Sequence, residues 1–223
     1  MLPRYENKLN EIRGMISVML SQIIQSSEET LKAFETDNAE LYEISRTYIK
    51  NIQVDANKID NEIIKTFALF GPEADELRLL VAYLKMTNEI DRIGDGLKKY
   101  SKRLHDHCMG GCDMSVLTNA IVQLHKTTIN ALQYISECLN NIDSCDADDT
   151  YRKVMVEESK NDDLFSLMEK ELLNLIIDAN ELAVEYVRVL GTLRKLERIG
   201  DRTVNIASLM LYAQKGGELN LHN

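Results

Sequence analysis

The chain has 223 residues, 44% of them hydrophobic, with ten Gly, two Pro, no Trp and a formal net charge of −10. That is ample apolar material for a packed core with few helix breakers, and it points to an all-helical protein of one large domain or two of about 110 residues. The acidic balance argues against a nucleic-acid partner, since neutralising phosphates needs basic clusters, and no run of 18 apolar residues is present to span a membrane.

The opening residues lack the apolar stretch of a secretory signal. A cytoplasmic protein is therefore expected, with Cys108, Cys112, Cys138 and Cys145 as reduced thiols. A first helix starts at Pro3, and Leu9, Ile12, Ile16, Met19, Leu20, Ile23 and Ile24 form its apolar stripe. Asp37-Asn38 reads as a break and an N-cap. A second helix is predicted over about 39–70, with Leu41, Ile44, Tyr48, Ile52, Ile59, Ile63 and Phe67 inward. Gly71-Pro72 ends it, and a third helix runs from near Glu73 to about Cys108. Gly110-Gly111 is the strongest punctuation, dividing the chain into halves 1–110 and 111–223. A fourth helix is predicted over about 113–141, followed by a polar connection through Asp143, Asp146 and Asp149. A fifth spans about 150–177, and the weak turn Asp178-Ala179-Asn180 leads into a sixth over about 180–214. Six long helices joined by short turns pack as antiparallel bundles, three to each half.

One phrase occurs twice. Asp91-Arg92-Ile93-Gly94-Asp95 returns 106 residues later as Glu197-Arg198-Ile199-Gly200-Asp201. Each copy places two carboxylates four residues apart, on one helix face about 5–6 Å apart at Cβ. A single such pair in an acidic chain is an ordinary solvated face. Three features favour a bound cation instead. The pair recurs at equivalent places. Each copy keeps a mid-helix Gly that costs about 1 kcal/mol against Ala. A third pair, Glu158 and Asp162, stands in the fifth helix. All-oxygen sites of this kind suit Fe, Mn, Mg or Ca. Arg92 and Arg198 are read first as partners of neighbouring acids on a helix surface. The segment 105–112, with His105, His107, Cys108 and Cys112, has the composition of a soft-metal site but is expected to be a turn between the halves. Scattered Met and Tyr residues are core positions. The only His placed inside a helix, His125, has Val122 three residues before it, so the Glu-x-x-His ligands of oxygen-activating bundles are missing.

With Leu196-Glu197-Arg198-Ile199-Gly200-Asp201 followed by Asn205-Ile206, and Leu77-Arg78, Lys85 and 89–95 in the first half, the chain resembles the PhoU family of phosphate-uptake accessory regulators. Its ends, with Tyr5, Leu9 and Met19, then Tyr212, Gly217, Glu218 and His222, are also similar to family ends. The resemblance implies an all-α fold of two tandem, pseudo-symmetric three-helix bundles. It also implies iron or zinc clusters, with Mg or Mn as alternatives, held by Asp91/Asp95, Glu158/Asp162 and Glu197/Asp201. Asp60 would end a further pair, but its partner position is Ala56, and Asp55 points about 100° away. Lys99 stands where the second half has Asn205, so the second-half site is expected to be the more complete.

The implied function is not catalysis. It is negative regulation of phosphate uptake and of the phosphate-starvation two-component response, between the ATPase of the phosphate ABC importer and its sensor histidine kinase. The protein would act as a homodimer that meets the membrane only through these partners. Service to a low-affinity phosphate permease, a metal-storing or structural bundle, and a carboxylate-bundle enzyme are the alternatives.

Overall fold

Pro3 supplies the fixed φ that suits a first helical turn, and a helix runs from it for 34 residues as α1 (Pro3–Thr36). The computed structural model describes residues 3–110, 114–142, 144–178 and 180–217. After α1 come α2 (Ala39–Tyr48), α3 (Ile52–Phe70), α4 (Ala74–Met109), α5 (Thr118–Asn140), α6 (Ala147–Asp178) and α7 (Ala183–Lys215), with 3₁₀ turns at Ser115–Leu117 and Asn180–Leu182. No strand occurs among the described residues. The fold is all-α, as the composition required.

The punctuation has local causes. The Asn38 side chain accepts from the Glu40 backbone N–H at 3.0 Å and caps α2. Gly71 takes φ +54°, the left-handed C-cap conformation that glycine adopts without a Cβ penalty, and Pro72 prevents continuation.

The predicted second helix is broken. Ile49 and Asn51 leave helical geometry at φ −106°, ψ 14° and φ −105°, ψ 11°. Just before them, the Ser45 and Thr47 hydroxyls donate to the carbonyls of Tyr42 and Ile44, in competition with the helix ladder. The Lys50 and Ile52 N–H groups fall back on 3₁₀-type bonds to Thr47 and Ile49. The break also corrects the inward face. Tyr42, Ser45 and Ile49 are buried, whereas Ile44 is 42% exposed.

α1 packs on α2, α4 and α5; α4 lies along α7; α6 lies between α5 and α7. The two sequence halves therefore share contacts through α1–α5 and α4–α7. Ile12, Ile59 and Ile90 from one half and Leu132, Leu172 and Leu209 from the other belong to one buried cluster. The proposed boundary at 110/111, Cys112 and the predicted start at Asp113 adjoin or lie outside the described residues, as do Asp143, Ala179, Glu218 and His222.

The His–Cys segment is helix, not loop, up to Met109. Its side chains form no metal-ligand group among the described residues. His107 Nε2 meets Thr192 Oγ1 at 3.0 Å, His105 stacks on Tyr42 at 5.1 Å, and the Cys108 thiol lies 3.7 Å from the Tyr42 hydroxyl. The expectation of reduced thiols fails for one pair. Cys138 and Cys145 form a disulfide across the α5–α6 turn, where their Cα atoms approach to 5.2 Å.

Candidate metal centre

The carboxylates of α6 and α7 face each other because a glycine lets the helices meet. A Cβ on Gly200 would stand 3.2 Å from Cγ of Asn161. Asn161 is buried, and its amide donates to Thr128 Oγ1 at 3.1 Å and to Thr127 Oγ1 at 3.3 Å on α5. That amide pins α6 to α5 at the level where α7 presents Gly200. Glu158 and Asp162 flank Asn161, and Glu197 and Asp201 flank Gly200, so the close approach brings the acids of both helices together.

Glu158, Asp162 and Asp201 each offer an oxygen, all within 4.8 Å of one another. Among the described residues this is the one group of three or more His, Cys, Asp or Glu side chains with that spacing. Glu197 adjoins it. Burial first, then the charges of Asp201 and Asp162, push its carboxyl up to about 7, against the opposing pull of Arg194 and Arg198. Its Oε2 is buried without a hydrogen-bond partner. An orphaned buried oxygen beside three converging carboxylates fits a hard, oxygen-seeking cation. Such a cation would be held by Glu158, Asp162, Glu197 and Asp201, cancelling their mutual repulsion and displacing the proton that Glu197 otherwise retains near neutrality. Asn205, buried one turn beyond Asp201, continues the same face.

The first-half residues come together less completely. Asp60 on α3 has a buried, unpartnered Oδ1, and burial followed by the Asp91 charge raises its pKa. Asp91 is raised by burial and then by Asp95, with Arg92 opposing. Asp60 and Asp91 therefore face one another. Asp95 is exposed and held by Lys99 at 2.6 Å, while Asp55 turns to Lys58 at 3.1 Å. Ala56 is buried and offers no ligand. The glycine packs differently too: a Cβ on Gly94 would stand 3.0 Å from Ile52, an apolar neighbour at the start of α3.

Both arginines are exposed, and Arg92 lies 3.9 Å from Glu89 on its own helix. Sequence reasoning did not single out Asn161, Thr127 or Thr128, and took Glu89 only as part of the family phrase. Asn161 carried a signal, a polar residue three places after Glu158 and so on the inward side of its pair. His125, fully buried, shares a 2.7 Å hydrogen bond with Tyr100 and is a core residue.

A PhoU-domain family model matches residues 16–104 and again 121–210. The chain belongs to the PhoU family. Each match contains one copy of the repeated acidic phrase. Among curated proteins, the chain is 24% identical over 221 residues to the phosphate-specific transport system accessory protein PhoU of Escherichia coli K12, covering 96% of this chain and 86% of that protein. Among solved structures, PhoU from Pseudomonas aeruginosa superposes with a TM-score of 0.85 at 23% identity, covering 96% of this chain and all of that one. The phosphate transport system regulatory protein PhoU from Streptococcus pneumoniae gives 0.80 at 18% identity, covering 97% and 100%. At these identities the superpositions establish that the PhoU fold extends over nearly the whole chain. No helix among the described residues is long and apolar enough to cross a membrane.

Proposed function

We propose that this PhoU-family chain is an accessory negative regulator of phosphate uptake that carries metal in the α6–α7 carboxylate cage. It acts as a homodimeric, cytoplasmic adaptor between the ATPase of the phosphate ABC importer and the sensor histidine kinase of the phosphate-starvation response. The regulatory role draws on family membership and on relatives named as accessory or regulatory proteins of phosphate transport. The metal rests on one observation, the convergence of Glu158, Asp162 and Asp201 beside the orphaned Glu197 oxygen.

Four carboxylates can be held at this spacing by protons or by cations. A cation, iron or zinc by family likeness, offsets part of that negative charge and offers open coordination positions where a partner's carboxylate or a phosphate can dock. The α3–α4 site has two facing acids with Lys99 nearby and holds metal more weakly. The chain then acts by binding, without turnover.

Elemental analysis of the purified protein tests the cage. Glu197→Ala/Asp201→Ala should lose most of its metal, and Asp91→Ala/Asp95→Ala should lose little. Equal metal content in the wild type and the first variant would remove the cage. Co-purification with the importer ATPase and kinase, against a low-affinity permease, tests the partners.

A further inference from the structure

Part of the basic charge of this acidic protein gathers in one place. A groove of about 690 Å³ runs between the α2–α3 break, the middle of α4 and the middle of α7. Eight Lys or Arg side chains line it, against two carboxylates, Asp91 and Asp95. Some of this charge is spent: Lys99 pairs with Asp95, Arg194 with Glu169, and Arg202 with Glu89 at 2.7 Å. Lys50, Lys98, Lys195 and Arg198 make no ion pair among the described residues. Lys50 comes from the helix break, Lys98 from α4, and Lys195 and Arg198 from α7, so the unpaired cations stand on all three walls. None of the cage carboxylates lines the groove.

Like charges collected in a concave site raise the local concentration of a counter-ion. The volume suits a small molecule. The lining offers few apolar anchors, only Ile49, Ile52 and Ile199, where a docked peptide helix would need a stripe of them. Gly191 leaves open space on the α7 wall, where a Cβ would meet nothing within 4 Å. Two linked phosphoryl groups carry about three to four negative charges, which matches four unpaired cations.

We propose that this groove binds a small diphosphate-bearing anion directly, without a bridging metal. The ammonium groups of Lys50, Lys98 and Lys195 neutralise it, and the Arg198 guanidinium, a planar fork, grips one phosphoryl group through paired N–H donors. The groove and the carboxylate cage are lined by different residues, although the Arg198 charge also acts on Glu197.

Isothermal titration of the full chain in chelating buffer tests it, with pyrophosphate, orthophosphate, phosphatidic acid vesicles and a glutamate-rich peptide as probes. Pyrophosphate should bind saturably and more tightly than orthophosphate, with an affinity that falls as salt rises. Lys195→Gln/Arg198→Gln should weaken it about a hundredfold. Lys50→Gln/Lys98→Gln, on other elements, should also weaken it, whereas Glu158→Gln/Asp162→Gln should not. Absent pyrophosphate binding, binding in both groove double variants as tight as in the wild type, or binding confined to the vesicles or the peptide would overturn the proposal. Loss of binding in Glu158→Gln/Asp162→Gln would assign the anion to the cage and overturn it equally.

Discussion

At the scale of single residues, burial decides which ionisable groups are chemically unusual. His125 is the clearest case. It is fully buried, and desolvation pulls its pKa down to about 3, so it is neutral in the folded protein over the ordinary pH range. In the unfolded chain the same side chain takes up a proton near 6.5. Below that value the unfolded state binds the additional proton, so stability is lost as pH falls from about 6.5 towards about 3. Glu197 has the opposite sign: its raised pKa in the metal-free protein favours the folded state at low pH, and that benefit disappears as pH rises through about 7. His125→Gln retains a hydrogen-bonding group for Tyr100 without the titration. Denaturant melts of the two proteins from pH 7 to pH 4 should show a shallower acid loss in the variant. Parallel curves would mean that the buried imidazole does not control the acid limb.

At the scale of helices, two glycines with similar sequence surroundings are expected to respond in opposite ways. Gly14 is exposed in mid-α1, and a Cβ there meets nothing within 4 Å. Gly14→Ala should stabilise by about 0.5–1 kcal/mol, as helix propensity predicts. Gly200→Ala pushes a methyl to 3.2 Å from Asn161, whose amide is tied to two α5 threonines. It should destabilise by about 1–3 kcal/mol through overpacking, less what propensity returns. Thermal melts of both variants check the contrast. The helices themselves were legible in the sequence because 3.6-residue stripes, Gly-Pro and Asn caps are local signals. The break at Ile49–Asn51 was not, since neither Gly nor Pro marks it and back-bonding Ser45 and Thr47 are common inside helices. The inward face of α2 was misjudged by one position for the same reason. The acid pairs were legible from their spacing. Their convergence was not, because it depends on Asn161 docking against Gly200 across two helices.

At the scale of the molecule, a duplicated sequence has been folded around one core. Glu89, buried on α4, pairs with Arg202 on α7 at 2.7 Å and so ties the halves together. Arg202→Ala leaves that carboxylate with only Arg92 at 3.9 Å, and a buried charge deprived of its partner is costly. Arg202 is partly exposed, so solvent screening reduces the cost to about 2 kcal/mol. Calorimetry should show the variant melting earlier but still in one transition. Two resolved transitions would mean that the halves fold as separate units.

The interruption between α2 and α3 has a last consequence. α6, its counterpart, runs unbroken for 32 residues. Two corresponding segments of the repeats are thus one interrupted and one continuous. The interrupted one brings Lys50 to an electropositive trough, and the continuous one carries Glu158 and Asp162 to an electronegative nest. The two repeats consequently offer a partner opposite signs of charge at these two places.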